Sequence, residues 1–192
     1  MSNTFFTSDL HHEHKRIVEF TKRGEDTTTE HHSEWLTEVW NNQVKAGDLV
    51  YHLGDLSFAK KYEDIAKWVR TLNGQKILIK GNHDDRKVLD QLVKDKLIQA
   101  WYDYKEIKVK DQAICLFHFP MSSWHKQGYG SWNLHGHCHG NLKPEFSKGK
   151  ILDVGIDNAK GLYDKHFMFS FEDVCYHMDS EEKFIADHHK EY

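Results

Sequence analysis

Apolar residues come in short runs separated by longer segments with helical spacing. Thr4–Thr7 is a brief β-like run that ends on polar Ser8 and Asp9. Leu49–Leu53 is a second, closed by Gly54-Asp55, and Ile77–Ile79 is a third, closed by Gly81-Asn82. Between them, apolar positions recur on one face, as an amphipathic helix requires. Ile17, Val18 and Phe20 predict a helix over 12–23, and Trp35, Leu36, Val39 and Trp40 predict one over 30–44. Ile65, Trp68, Val69 and Leu72 predict a helix over 60–72, stopped by Asn73-Gly74 in a left-handed cap. Val88, Leu89, Leu92 and Val93 predict another over 86–98, and Ala46-Gly47-Asp48 reads as a turn.

The second half is richer in strands. Tyr104–Val109 alternates, and Ala113–Phe119 is a continuous apolar run holding one histidine. Gly130–Leu134, Ile151–Ile156 and His166–Phe171 follow as strand candidates, with a short last helix over Glu172–Met178. Strands alternating with helices predict an α/β domain. The late excess of strands leaves two architectures open, a doubly wound sheet and a two-sheet sandwich flanked by helices. The segment 120–133, rich in Gly, Ser, Trp and His, is the one long loop.

At 192 residues the chain suits one domain over 1–192. A domain of this size buries about 70% of its unfolded surface, so it needs no disulfide or structural metal to make a core. Lys and Arg total 26 against 30 Asp and Glu, a formal charge of -4. That balance argues against a general nucleic-acid-binding surface but leaves a nucleotide substrate open. No run approaches the ~18 apolar residues of a membrane span, and no basic-then-apolar secretion signal opens the chain. Cys115, Cys138 and Cys175 are odd in number and widely spaced, so a reducing, cytoplasmic location is expected. His188 and His189 are expected to be solvated. Nothing in the pattern sets an oligomeric state.

The 16 histidines change the picture. Ligand-type side chains follow the apolar runs again and again: Asp9 and His11, then Asp55, then Asn82, His83 and Asp84, then His118, then His137 and His139. In α/β sheets, ligands collect at the carboxyl ends of strands. Taken singly, Asp9 is also a helix N-cap, Asp55 and Asn82 are also turn residues, and His118 is also a core histidine. His135, His137 and His139 also fit one solvated face of a strand. Their joint recurrence points instead to converging metal ligands. Carboxylates, imidazoles and one amide suit Mn, Fe, Co, Ni or Zn rather than Cu(I) or an iron–sulfur cluster. Mg and Ca prefer an all-oxygen shell. One carboxylate shared by two ions would let them sit about 3.5–4 Å apart, the two-metal arrangement for phosphoryl transfer.

These residues closely resemble the calcineurin-like metallophosphoesterases. The family pattern DxH, GDxx, GNHD, a lone H and GHxH stands here as Asp9-Leu10-His11, Gly54-Asp55-Leu56-Ser57, Gly81-Asn82-His83-Asp84, His118 and Gly136-His137-Cys138-His139. The resemblance implies a four-layer αββα sandwich of two mixed sheets flanked by helices. It implies two divalent ions, manganese first and Fe, Ni, Co or Zn as alternatives. Asp9, His11, Asp55 and His139 would hold one ion; Asp55, Asn82, His118 and His137 would hold the other. His83 would assist the leaving group, and Asp84 would orient His83. The implied reaction is attack of a metal-bound hydroxide on a small phosphoester, with nucleotide or cyclic phosphodiesters expected. A phosphomonoesterase or protein phosphatase is the alternative, and a non-catalytic binding protein ranks below both.

Around this set, His12 and His14 crowd the first motif, and Cys138 is expected to point away from its flanking histidines. His135 reads equally as a support for the ligands or as a bystander, His52 is expected to be structural, and for Asp157 and Asn158 a place near the rim is the less favoured of two readings. Trp124 or Tyr129 of the 120–133 loop could stack on a base, or equally anchor that loop on the core, and Lys80, Arg86 and Lys126 could offer positive charge, though such side chains are usually solvated.

Overall fold

The computed structural model describes residues 2–146 and 148–184; His188 and His189 lie outside the described residues. Four parallel strands form most of the first sheet: β1 (Thr4–Thr7), β2 (Leu49–His52), β3 (Gln75–Ile79) and β4 (Ala100–Tyr102). An antiparallel strand, β9 (Phe169–Ser170), completes it in the order β4-β3-β2-β1-β9. The second sheet holds β5 (Tyr104–Val109), β6 (Gln112–Phe117), β7 (Trp132–His135) and β8 (Ile151–Asp153). Its order is β5-β6-β7-β8, antiparallel at the first pair and parallel at the others. Helices α1 (Ile17–Phe20), α2 (His32–Gln43), α3 (Tyr62–Val69), α4 (Arg86–Lys94), α5 (Ile156–Tyr163) and α6 (Phe171–Asp179) flank the sheets.

Strand alternation splits neighbouring residues between two cores. Phe5, Val50 and Leu78 join Leu36 and Trp40 of α2, Trp68 and Val69 of α3, and Leu89 and Leu92 of α4. Phe6 and Tyr51 face the other way, into the core shared with Leu116, Leu134 and Leu152 of the second sheet and with Val174 and Met178 of α6. Each such buried Leu, Val or Phe contributes about 1.5–3 kcal/mol relative to exposure. On the opposite face of the second sheet, Cys115 and Ile151 pack on Trp124.

The departures from the predicted elements have local causes. The helix over 12–23 shortens to the single turn α1 and a 3-10 turn at Lys22–Glu25. Glu13 has a φ of 62° and Thr21 is extended, which breaks the helix at both ends. The helix over 86–98 stops at Lys94, just before Lys96 turns left-handed at φ 58°. β4 lacked a readable pattern because it is a three-residue edge strand. α5 replaces the end of the strand predicted over Ile151–Ile156. There the Asp153 carboxylate accepts Gly155 N–H at 2.8 Å, and Asn158 Nδ2 donates to the Asp153 carbonyl at 2.6 Å, closing β8 and starting the helix. The strand predicted over His166–Phe171 shrinks to β9 because Ser170 and Asp173 form a capping box that opens α6.

All the parallel strands point their carboxyl ends to one rim. Isolated bridges Ser8↔Gly155 and His12↔Ser57 extend the pairing past the strand ends, and the first ties the two sheets together there.

Candidate metal centre

The seven expected ligands follow strand ends: Asp9 and His11 after β1, Asp55 after β2, Asn82 after β3, His118 after β6, and His137 and His139 after β7. Five of them are left-handed: Asp9 (φ 55°), His11 (52°), Asp55 (58°), His137 (69°) and His139 (48°). Such backbone costs of order 1–3 kcal/mol per residue and persists only where the surroundings over-determine it. Here Asp9 N–H donates to the Gly54 carbonyl at 2.9 Å and His11 N–H to that of Asp55 at 3.0 Å. Two glycines make room for this crossing of loops. A Cβ on Gly81 would lie 2.2 Å from Asp55 Oδ1, and one on Gly136 would lie 2.5 Å from Asp9 Oδ2 and from Ser8 Oγ.

The donor atoms converge on two adjacent points. His11 Nε2 lies 3.7 Å from Asp9 Oδ1 and 3.8 Å from Asp55 Oδ2. His139 Nε2 lies 3.8 Å from Asp9 Oδ1, and His118 Nε2 lies 3.7 Å from Asp55 Oδ2. Asp9, His11 and His139 form one cluster able to hold an ion, and Asp9, Asp55 and His118 form another. Two donors each about 2.0–2.2 Å from one ion are separated by distances of this order. Asp9 Oδ1 and His11 Nε2 are buried without a hydrogen-bond partner. Leaving such groups unsatisfied costs about 1–3 kcal/mol each or more, and a cation placed between them removes that cost.

The other ring nitrogens set the direction of the lone pairs. His118 Nδ1 faces the Leu53 carbonyl at 2.7 Å, so it carries the proton and Nε2 presents a lone pair. That lone pair faces Asn82 Oδ1 at 2.9 Å, and His137 Nδ1 approaches the same oxygen at 3.0 Å. Both imidazoles thus meet at one Asn82 oxygen. His139 Nδ1 donates to Asp157 Oδ2 at 2.6 Å and so aims Nε2 at Asp9. Burial opposes charge on His139, but Asp157 and Asp9 outweigh it and raise its pKa. Burial would likewise raise the Asp9 pKa, yet the nearby His11 imidazole, the charges of His139 and His118, and the Ser8 hydroxyl hold it well below the usual range.

Arg23, fully buried, anchors this side. Its Nε and Nη2 grip both Asp157 oxygens at 2.8 Å. Nη2 also donates to the Asp9 carbonyl at 2.6 Å, and Nη1 donates to the Leu10 carbonyl at 2.8 Å and to His32 Nε2 at 3.1 Å. Burial would raise the Asp157 pKa, but Arg23 and His139 hold it well below the carboxylate range. Sequence reasoning missed Arg23. It sits in a polar stretch, and its partner lies 134 residues away.

His83 sits at the mouth, its ring half-exposed, with Nε2 4.0 Å from Asp55 Oδ2. Its backbone N–H donates to Asp55 Oδ1 at 2.9 Å. The expected contact of Asp84 with the His83 ring is replaced by another arrangement. Asp84 accepts the backbone N–H groups of Gly81 and Asp55 at 2.8 Å and of Leu56 at 3.0 Å. Three amide donors outcompete one imidazole, so Asp84 clamps the two ligand loops together. Burial pushes its pKa up despite those donors.

A family model described as calcineurin-like phosphoesterase matches residues 3–190. The chain belongs to that family. It is therefore a metal-binding hydrolase of phosphoesters by family, on an α/β fold of two mixed sheets. It is 28% identical to an uncharacterized protein, MJ1445, of Methanocaldococcus jannaschii over 162 residues, covering 82% of this chain and 83% of the relative. It is also 28% identical to the Gene 66 protein of Mycobacterium phage L5, covering 95% of this chain and 98% of the relative. Among solved structures, the Aquifex aeolicus protein of unknown function AQ665 superposes with a TM-score of 0.69 at 20% identity, covering 92% of this chain and 99% of that one.

The remaining residues sort by what they touch. His12 is buried and stacks on Trp68 at 4.1 Å, with Nδ1 3.0 Å from Ser57 Oγ; burial pushes its pKa down to about 4. His14 lies 5.6 Å from the His11 ring and packs edge-on against Phe58. Burial raises the Cys138 thiol to about 11, and Cys138 is in neither donor cluster found among the described residues. His135 is buried and donates to the Gly136 carbonyl at 2.8 Å. His52, fully buried, accepts Gly54 N–H at 3.2 Å, and burial lowers its pKa to about 3.

The aromatic and basic residues read as possible substrate contacts have partners or places of their own. Trp124 is buried, and its Nε1 donates to the Ser131 carbonyl. Tyr129 precedes the start of β7, at the opposite end of that strand from His137. Lys126 shares that end, Lys80 Nζ donates to the Gly81 carbonyl, and Arg86 is paired with Asp103 at 2.7 Å. Among the described residues, Phe58 and Phe119 are the aromatics that pack on the site histidines.

Proposed function

We propose that this single domain over 1–192 is a dinuclear-metal phosphoesterase acting on small phosphodiesters, including nucleotide-derived ones, with manganese as its preferred ion. The observation that carries the reading is Asp55 Oδ2. It lies 3.8 Å from His11 Nε2 on one side and 3.7 Å from His118 Nε2 on the other. A carboxylate flanked in this way is built to be shared by two ions. Asp9, His11, Asp55 and His139 would hold one ion; Asp55, Asn82, His118 and His137 would hold the other. The bound ions would lower the pKa of water and neutralise charge on the phosphoryl oxygens.

The chain's own groups do the rest. Asn82 and His137 are exposed, so a phosphoryl group reaches the centre from solvent. His83, at the mouth beside Asp55, stabilises or protonates the departing oxygen. The open rim favours a diester, whose two organic groups need room on both sides of phosphorus. Three free cysteines fit a reducing, cytoplasmic setting.

The test is a paired assay on protein stripped of metal and reloaded with Mn, Fe, Ni, Co, Zn or Mg. Bis-p-nitrophenyl phosphate is compared with p-nitrophenyl phosphate. Diester turnover that is greatest with Mn is the expected result. Monoester turnover as the main activity would move the assignment to a phosphomonoesterase. Two bound ions with silence on both esters would overturn the hydrolytic reading in favour of a binding role.

A further inference from the structure

Phe58 and Phe119 belong to neither hydrophobic core and stand on opposite sides of the candidate centre. Phe58 packs against His11 at 5.0 Å, with the rings 28° apart, and against His83 at 4.6 Å. Phe119 packs against His137 at 4.6 Å and His118 at 4.9 Å. Asp55, within 4 Å of both His11 and His118, lies between the two groups. Phe119 is 37% exposed, with its ring beside the site histidines.

Both rings are braced. Phe58 N–H donates to the His12 carbonyl at 2.7 Å, beside the His12↔Ser57 bridge. Phe119 leans on Phe117 at 5.7 Å, and Phe117 leans on Tyr104 at 6.4 Å. A phenyl ring neither binds a divalent ion nor moves a proton. A fixed, part-exposed ring beside a phosphate site offers one thing, a face for a planar group to stack on.

Resting on the diesterase reading above, we propose that Phe58 and Phe119 are specificity ledges for the two organic groups of the substrate. Phe58, beside His83, takes the leaving group. Phe119, beside His118 and His137, takes the group that stays on phosphorus. The preferred substrate is then a phosphodiester with a planar aromatic group on the retained side, either an aryl group or a nucleobase one sugar away.

Three diesters that all release p-nitrophenol test this: methyl p-nitrophenyl phosphate, bis-p-nitrophenyl phosphate and thymidine 5′-p-nitrophenyl phosphate. Only the retained group differs. The wild-type protein loaded with Mn should favour an aromatic retained group over methyl by about tenfold in kcat/KM, the scale of one stacked ring. The bis-aryl and thymidine esters separate an aryl-sized ledge from a nucleoside-sized one. In Phe119→Ala that ratio should fall toward one, and Phe119→Tyr should restore it. In Phe58→Ala all three esters should lose rate together, with the ratio kept to within about twofold. No preference in the wild type, or a preference that survives Phe119→Ala, overturns the proposal.

Calorimetry separates this outcome from failure of the diesterase reading. If no ester turns over, phenyl phosphate and methyl phosphate are titrated into the Mn-loaded protein. Tighter binding of phenyl phosphate that disappears in Phe119→Ala supports the ledge; equal binding of the two overturns it.

Discussion

Replacing Arg23 with methionine tests how the first ligand cluster is held. The side chain is fully buried, and its five donated hydrogen bonds reach Asp157, the Asp9 and Leu10 carbonyls and His32. Methionine keeps much of the volume but leaves the buried Asp157 carboxylate without its cation. Breaking a buried pair in this way costs about 3–5 kcal/mol. That is a large share of the ~5–15 kcal/mol by which a domain is stable. At ~2–4 °C per kcal/mol for a protein of this size, the melting temperature of the metal-free protein should fall by about 6–20 °C. Urea unfolding in the presence of a chelator measures the same loss directly.

A second readout separates stability from function. Asp157 fixes the tautomer of His139, so loosening it should weaken Mn binding at the first cluster by about 10–100-fold in calorimetric titration. The double variant Arg23→Met/Asp157→Asn removes the stranded charge. It should be less destabilised than the sum of the single variants by about 0.5–3 kcal/mol. An Arg23→Met protein within about 1 kcal/mol of wild type, or strict additivity in the cycle, would refute the reasoning.

Other expectations are independent of that one. His83→Ala should keep both ions by metal analysis while kcat falls by about 10²–10⁴-fold; loss of the ions would show that His83 shapes the site instead. Gly136→Ala drives a Cβ to 2.5 Å from Asp9 Oδ2, and its Mn affinity should fall by about 10–100-fold, with unchanged affinity as the contrary result. His12, His32 and His52 are buried and neutral, with pKa values lowered by burial to about 4, 3 and 3 from 6.5. Because the unfolded chain takes up these protons first, metal-free stability should be full above about pH 6.5 and fall from there toward pH 4. A flat urea midpoint from pH 7 to pH 5 would falsify that account.

Much of the fold was legible because its signals are local. The alternation in β1 and β2, the apolar faces of α2 and α3, and the Asn73-Gly74 stop need only a few neighbouring residues to be read. That the candidate ligands crowd together was legible for a related reason. Each member stands just past an apolar run, and the glycines beside Asp55 and Asn82 mark loops that must cross closely. Elements failed where a polar contact overrode periodicity. Asp153 closes β8 and Asn158 helps open α5, although Ile151–Ile156 reads as one apolar strand.

The chain order of apolar and ligand-type residues thus determined the class of fold and which side chains crowd one rim. Tertiary structure alone decided what supports them. Arg23 reaches Asp157 across 134 residues, Asp84 turns to three backbone amides rather than to His83, and Phe119 rather than Trp124 faces the centre. Local pattern reports periodicity and turn chemistry. Partners of buried charge are chosen by which polar groups remain unsatisfied once the sheets have packed, and that is settled only in three dimensions.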